Sequence, residues 1–453
     1  MKILLIQPPS SDPLIDRVFL FEPLALEYLG AGLKLDGHEV EVVDARLAPD
    51  IEGACRRFQP QLVGITGFTN QLNIVRQLAA RLKAMLPGVF VVVGGHHATV
   101  RPEDFNALAI DAVVIGEGVF ALREIVRAIE AGRGFFGIAG VAMPDPQGMR
   151  FGPPRRYTEL DLLPLPDRSL TAAHRHSYFS EWFKPLASVR TSLGCTARCN
   201  FCALWSITGG KYLRRTPESV VEELKTVAEP NVFFCDDESM CDVRRMDRLA
   251  DLIRAADIRK NYFLYGRVDT IVEHPQLFAK WAAIGLSQVF VGMEDYSDAR
   301  LAAMNKGITS AQQAEAVRIL DELGIMMYAS YMVDPAYTKE DFAGLLAYVR
   351  RMKHKYATFT VLTPLPGTQL RAEHEHELLS RQPELCDMMH PLLPTRLPLE
   401  QFFAEYAKLW TNAVPFYRMI PTLARFGARG ILQRIRLFGA LLARLRAAHL
   451  DYR

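Results

Sequence analysis

The segment Ser192-Leu193-Gly194-Cys195-Thr196-Ala197-Arg198-Cys199-Asn200-Phe201-Cys202 constrains this chain more than any other. It sets three cysteines at the spacing C-x3-C-x2-C, directly after the strand-like run Leu186 to Thr191. Three thiolates this close can hold three corners of a cubic iron–sulfur cluster, whereas a closed structural site requires a fourth ligand. A zinc knuckle would need that fourth Cys or His nearby, and none follows Cys202 before Cys235. The iron without a protein ligand is then open to a small molecule. The fold must therefore present Cys195, Cys199 and Cys202 on one loop at the end of a buried strand.

With 453 residues the chain can bury more than one core. The net charge of +2 gives no global field for nucleic acid, and no nucleic-acid partner is expected. Seven cysteines, three of them clustered, do not form a disulfide framework. They fit a reducing cytoplasm. The apolar start, Met1 to Ile6, is too short for a signal peptide, and no apolar run reaches the roughly 20 residues of a membrane span.

The N-terminal third alternates strands and helices. Strands are expected at residues 2–6, 38–43, 61–66, 89–93 and 111–115, with helices at 22–35, 70–85 and 119–131. Unbroken apolar strands in this alternation predict a doubly wound, flavodoxin-like parallel sheet. Ligands of such sheets bind at the carboxyl ends of the strands. Those ends carry Gln7-Pro8-Pro9, Thr66 to Thr69, Gly94-Gly95-His96-His97 and Gly116-Glu117-Gly118. Their glycines let backbone approach a large ligand closely. No G-x-G-x-x-G follows the first strand, which argues against a dinucleotide. His96 and His97 are either ligand candidates or plain loop residues. Residues 136–180 read as a hairpin and a proline-bearing linker.

From residue 181 to 400 the alternation resumes, with six βα units. That pattern predicts a partial (β/α)6 barrel, whose active site lies at the C-terminal ends of its strands. Those ends carry Cys235-Asp236-Asp237-Glu238-Ser239, then Gly266-Arg267-Val268-Asp269, then Gly292-Met293-Glu294-Asp295. Carboxylates suit an ammonium and Arg267 suits a carboxylate, but each charge could equally be a solvated loop residue. Cys235 reads as a core thiol after an apolar strand. Residues 401–453 read as a helical, basic extension: from Phe416 onward there are eight arginines and one acid, Asp451. Ile431 to Leu445 has the pattern of an amphipathic helix. It would lie either on an anionic membrane surface or on the barrel.

The C-x3-C-x2-C spacing, with Phe201 before the last cysteine, resembles the signature of the radical S-adenosylmethionine (SAM) superfamily. The upstream sheet, with its V-V-G-G-H-H-A-T and V-V-I-G-E-G runs, is similar to the cobalamin-binding domain of the cobalamin-dependent radical SAM enzymes. The resemblance implies an N-terminal cobalamin-binding domain at 1–135 and a radical SAM barrel at 181–400. It implies a [4Fe-4S] cluster on Cys195, Cys199 and Cys202. SAM would be held by Asp236, Asp237, Glu238, Arg267 and Glu294. Cobalamin would meet Gln7, Thr66, Thr69, Gly94, Gly95, His96, Glu117 and Gly118, with the loop after Gly94 lining its nucleotide tail. The D-x-H-x-x-G motif of histidine-ligated cobalamin is absent after the first strand, so cobalamin is expected base-off with no histidine on cobalt. An electron donor such as flavodoxin or ferredoxin is implied.

Further segments, among them Cys202 to Trp205, Tyr262 to Arg267 and Leu362 to Thr368, resemble the hopanoid C-3 methylases. That implies methyl transfer from SAM, through cobalamin, to an unactivated carbon of a lipid. The expected location is the cytoplasm, with peripheral contact at the inner membrane face through the tail. An oxidative cyclase acting on a porphyrin and a non-catalytic cobalamin sensor are the alternatives.

Overall fold

The computed structural model describes residues 1–157, 159–415, 418 and 426–452. Two compact units emerge: residues 1–189 with 203–215, and residues 190–202 with 216–453.

In the first unit the strands are β1 (Lys2–Gln7), β2 (Glu39–Asp44), β3 (Leu62–Thr66), β4 (Phe90–Gly94), β5 (Ala112–Val114), β6 (Val141–Met143) and β7 (Arg150–Phe151). They form one sheet in the order β2-β1-β3-β4-β5-β6-β7. The first five run parallel, and β6 and β7 add an antiparallel edge. Ile3 to Ile6, Val63 and Val91 are fully buried because helices cover both faces. The order reverses between β1 and β3, the switch point where a doubly wound sheet opens a crevice.

The hairpin expected at 136–152 is present, and its strands extend the first sheet. Two features differ from the sequence reading. The stretch after the hairpin is anchored, through Thr171 Oγ1 to Glu27 Oε1 at 2.5 Å and Arg168 to the Ser188 carbonyl at 2.7 Å. The unit boundary accordingly falls after Val189 rather than at 180. A helix at Ile51–Phe58 was also not foreseen. Asp50 caps it by accepting from Gly53 N at 2.8 Å, and it buries Ile51, Ala54, Cys55 and Phe58.

The remaining strands are β8 (Leu186–Val189), two short strands β9 (Ser192–Leu193) and β10 (Leu213–Arg214), then β11 (Asn231–Phe234), β12 (Asn261–Gly266), β13 (Leu286–Glu294), β14 (Met326–Val333) and β15 (Tyr356–Val361). A six-stranded sheet has the order β15-β14-β13-β12-β11-β8, and β11 to β15 pair parallel in sequence order. This is the expected partial (β/α)6 barrel. Its outer face carries Phe234 and Tyr262, which pack edge-on against Trp281 of the helix Pro275–Ala282 at centroid distances of 5.7 and 5.6 Å. Trp281 Nε1 donates to the Met246 carbonyl at 3.1 Å.

Among the described residues two long helices lie in the extension. Leu399–Asn412 buries Phe402, Phe403 and Tyr406, and Tyr406 donates to the Phe359 carbonyl at 2.7 Å. Gly427–Ala447 buries only Leu445. Phe416 to Arg425, Arg418 aside, lie outside the described residues. No helix among the described residues is long and apolar enough to cross a membrane.

Candidate active site

Gly194, at φ +93°, turns the chain out of β9 into the cysteine loop. Two carboxylates from the end of β11 fix that turn. Asp236 accepts from Thr191 N and Thr191 Oγ1, both at 2.6 Å, and from Ser192 N at 2.8 Å. Asp237 accepts from Gly194 N at 2.6 Å. The far side of the loop is pinned to the segment after β13. Asn200 N donates to the Met304 carbonyl at 3.2 Å, and Asn305 Nδ2 donates to the Arg198 carbonyl at 2.7 Å. Phe201 packs against the apolar cluster Met304, Met332, Leu362 and Leu370.

Cys195, Cys199 and Cys202 all carry free thiols on this loop. Cys202 N donates to the Cys199 carbonyl at 3.2 Å, and Ala197 N donates to Cys195 Sγ at 3.4 Å. Among the described residues no three His, Cys, Asp or Glu side chains converge on one metal point. Burial pushes the Cys195 thiol up, Glu238 and Cys199 push it the same way, and the Ala197 N–H and Arg267 pull it back. A thiolate here depends on neighbouring cations.

Two such cations are present. Arg267 forks onto Asp269, with Nη2 at 2.7 Å, and also donates to the Lys306 carbonyl at 3.0 Å. Its protonated form is reinforced by Asp269, Cys199 and Cys195 against the cost of burial. Lys306 is buried and pairs with Glu294 at 2.5 Å. Nothing in the sequence singled out Lys306, a lone lysine between Asn305 and Gly307. Glu294 sits at φ +61°, a conformation non-glycine residues rarely adopt. A side chain at Gly292 would strike the pair, since its Cβ would lie 2.2 Å from Glu294 Oε1.

The three consecutive acids thus differ. Asp236 and Asp237 are committed to the cysteine loop. Glu238 is 1% exposed, and its Oε2 has no partner. Burial lifts its carboxyl to about 7, against the pull of Met240 N–H and Arg267. Ser192 Oγ, Asn200 Oδ1 and Ser239 Oγ are likewise buried without partners. Buried polar atoms are normally satisfied, so four orphans around one cysteine loop mark a place built for a polar group. The set fits an iron–sulfur cluster with an ammonium-bearing ligand. Cys235, pushed up to about 12 by burial, is a core thiol.

The first unit offers a second candidate site along the carboxyl ends of β1, β3, β4 and β5. Gln71 Nε2 donates to the Pro9 carbonyl at 2.8 Å and its Oε1 accepts from Phe68 N at 3.1 Å, tying the loops on either side of the switch point. Gly95 has φ +100°, and a Cβ there would lie 2.5 Å from Thr66 Oγ1 and 2.9 Å from Gly67 N. Only glycine permits this close approach. His97 is spent on Thr69 Oγ1 and Asp104 Oδ2, each at 3.1 Å. His96 stands against the exposed Phe68 ring at 5.9 Å, its Nδ1 is without a partner, and burial holds it below the usual imidazole range. Glu117 caps the helix Gly118–Glu130, accepting from Phe120 N at 3.1 Å and from Val119 N. The Gln7 side chain donates through Nε2 to the Pro8 carbonyl at 3.4 Å. A glycine cradle with an exposed aromatic suits a large planar cofactor.

Family models match a segment of each unit. The B12 binding domain matches residues 13–126 and the Radical SAM superfamily matches residues 189–349. The hopanoid C-3 methylase of Methylococcus capsulatus is 28% identical over 415 residues, covering 90% of this chain and 79% of that protein. An uncharacterized methyltransferase of Pyrococcus horikoshii is 30% identical over 384 residues, covering 82% of each. The structure of the cobalamin-dependent S-adenosylmethionine radical enzyme OxsB shares the fold with a TM-score of 0.74 at 14% identity, covering 99% of this chain and 72% of that one. The chain belongs to the cobalamin-dependent radical SAM methyltransferases. The family's cofactors are cobalamin, a [4Fe-4S] cluster and SAM.

Two predictions follow from the geometry around Cys195. Asp236→Ala removes the acceptor of three buried donors, each costing about 1–3 kcal/mol when unsatisfied. Iron and acid-labile sulfide per chain should fall several-fold while bound corrinoid is unchanged. Equal iron in variant and wild type would show that the clasp is dispensable. For Glu238, the folded carboxyl at about 7 exceeds its ordinary value of 4.5, so the native state holds its proton longer than the unfolded chain. Stability of the cofactor-free protein is therefore lost as pH rises from 4.5 through about 7. Glu238→Gln should be more stable than wild type at pH 8, by up to about 3 kcal/mol, with the gap closing toward pH 5. Urea unfolding at the two pH values measures it.

Proposed function

We propose that this enzyme methylates an unactivated ring carbon of a hopanoid lipid. The carrying observation is the likeness to a hopanoid methylase over 90% of the chain. When bound, cobalamin carries the methyl group, and SAM on the reduced cluster supplies the hydrogen-abstracting radical. The protein's part is positional. Asp236 and Asp237 set the height of the cysteine loop. Glu238, lifted by burial to about 7, ionises fully to meet the ammonium of SAM. Arg267 faces the SAM carboxylate and pulls the Cys195 thiol back down against the larger effect of burial. Glu294, oriented by Lys306, is the candidate partner of the ribose hydroxyls. Gln7, Thr66, Thr69, Gly94 to His96, Glu117 and Gly118 line the cobalamin side, with no histidine on cobalt. Flavodoxin or ferredoxin is the proposed electron donor.

The substrate's home supports a second element of this reading. The helix Gly427–Ala447 carries Arg429, Arg434, Arg436, Arg444 and Arg446 and no acidic residue. Leu432, Ile435 and Phe438 are 48%, 52% and 40% exposed, spaced three apart on one side. An apolar stripe flanked by arginines complements an anionic bilayer surface. The protein would then be cytoplasmic and peripheral at the inner membrane face.

Anaerobic expression in a hopanoid-making host lacking its own C-3 methylation, with SAM labelled in its methyl group, should give labelled methylhopanoid by lipid mass spectrometry. Its absence with all three cofactors in place would refute the substrate, and turnover without label in the product would favour a cyclase. In flotation assays the protein should rise with phosphatidylglycerol vesicles and stay down with phosphatidylcholine alone. Leu432→Glu with Phe438→Glu should abolish flotation. Equal flotation on both lipids would remove the electrostatic element.

A further inference from the structure

We propose that Tyr265, Phe290, Tyr328 and Tyr356 form a recognition floor for a flat, apolar, fused-ring substrate inside the second unit. The proposal rests on the lipid reading for the reaction but stands on its own contact chemistry.

Register defines the floor. Tyr265 lies opposite Phe290, Phe290 opposite Tyr328, and Tyr328 opposite Tyr356, on four adjacent parallel strands. Direct neighbours of a parallel ladder share one face. The ring centroids follow at 4.9, 5.1 and 4.6 Å. At the usual strand spacing the row extends about 14 Å, the scale of a tetracyclic or pentacyclic skeleton. The opposite face is covered by helices, as Trp281 shows against Phe234 and Tyr262, whereas each of these four residues keeps partial exposure.

The layer nearer the strand ends makes the floor reachable. Gly292 pairs with Ser330, and Ser330 with Thr358, so three small residues lie over three rings. Over Tyr328 and Tyr356 the small Ser330 and Thr358 leave the rings approachable from the strand ends, whereas the space at Gly292 over Phe290 is taken by the Glu294–Lys306 pair. Charge argues the same way. The strand residues of this face are aromatic, aliphatic or neutral polar until Glu294, and Lys306 neutralises that carboxylate at 2.5 Å. An ionic substrate finds no free counter-charge on the strands, while an apolar ring system finds a row of aromatic rings that meet one another edge-to-face or tilted.

Equilibrium binding to the anaerobically purified holoenzyme tests the floor. Three probes in the same detergent serve: the pentacyclic triterpenoid diplopterol, protoporphyrin IX, and the open-chain triterpene squalene. A fused-ring probe should bind at least tenfold tighter than squalene. Phe290→Ala and Tyr328→Ala should each weaken it about tenfold, and Phe290→Tyr should preserve it. Cobalamin and cluster absorbance confirm that each variant is folded, and Tyr356→Ala at the open edge replaces any that is not. If both ring probes bind no better than squalene, or the alanine variants bind them as wild type does, the proposal is overturned. If protoporphyrin binds through the floor and diplopterol does not, the floor stands and the hopanoid reading falls.

Discussion

The barrel's chemistry depends on one carboxylate. Asp236 is almost wholly buried and receives two backbone N–H groups and one hydroxyl from Thr191 and Ser192. A buried carboxyl group is tolerable only when its oxygens find donors in this way. Arg245 adds to the arrangement by donating to the Thr191 carbonyl at 2.7 Å. The exit from the strand is thereby set on both its N–H and carbonyl sides. Gly194 can then turn, and Cys195 begins its loop from a defined point. The cost is that Asp236 has little left to offer a ligand. The same holds for Asp237, which is raised by burial and bonded to Gly194 N. Glu238, next in sequence, has an oxygen that is both buried and without a partner.

Much of this was legible in the sequence, and the exceptions share a cause. The cysteine loop is contiguous, so its chemistry could be read directly. Parallel strands buried on both faces appear as apolar runs, and their alternation with helices predicted both sheets. The division of labour among Asp236, Asp237 and Glu238 was not legible, because it depends on partners more than forty positions earlier. Lys306 escaped notice for the same reason, its role being set by Glu294 and by the neighbouring Cys199. The hairpin after residue 136 was legible as a hairpin, but its place in the sheet was not, because its strands are two and three residues long and join the sheet only by pairing with β5. The Ile51–Phe58 helix is a different case. Its cap and its i, i+3, i+4, i+7 pattern were in plain view.

The two faces of the second sheet could not be told apart beforehand either. Consecutive pairs such as Phe233-Phe234 and Tyr262-Phe263 are aromatic on both sides. Only the helices decide which ring is core and which faces inward. Trp281 claims Phe234 and Tyr262, and Phe233 and Phe263 are left to stack on each other at 4.7 Å. An inner face this apolar shifts the task of holding charge to the strand ends.

At those ends the charges are matched before any cofactor arrives. Arg267 is paired with Asp269 and Lys306 with Glu294, so neither cation is free to overwhelm the site. Three cysteine thiolates would add negative charge in a region that already raises the Cys195 thiol. A permanently ionised Glu238 would make that worse. Its carboxyl at about 7 keeps a protonated fraction near neutral pH while the site is empty, and that fraction ionises when a cation comes within reach. By linkage, a cation that lowers this pKa is bound more tightly by the same free energy. Burial of Glu238 thus couples arrival of the ammonium to creation of its counter-ion. A solvent-exposed carboxylate, already ionised, could not discriminate in that way.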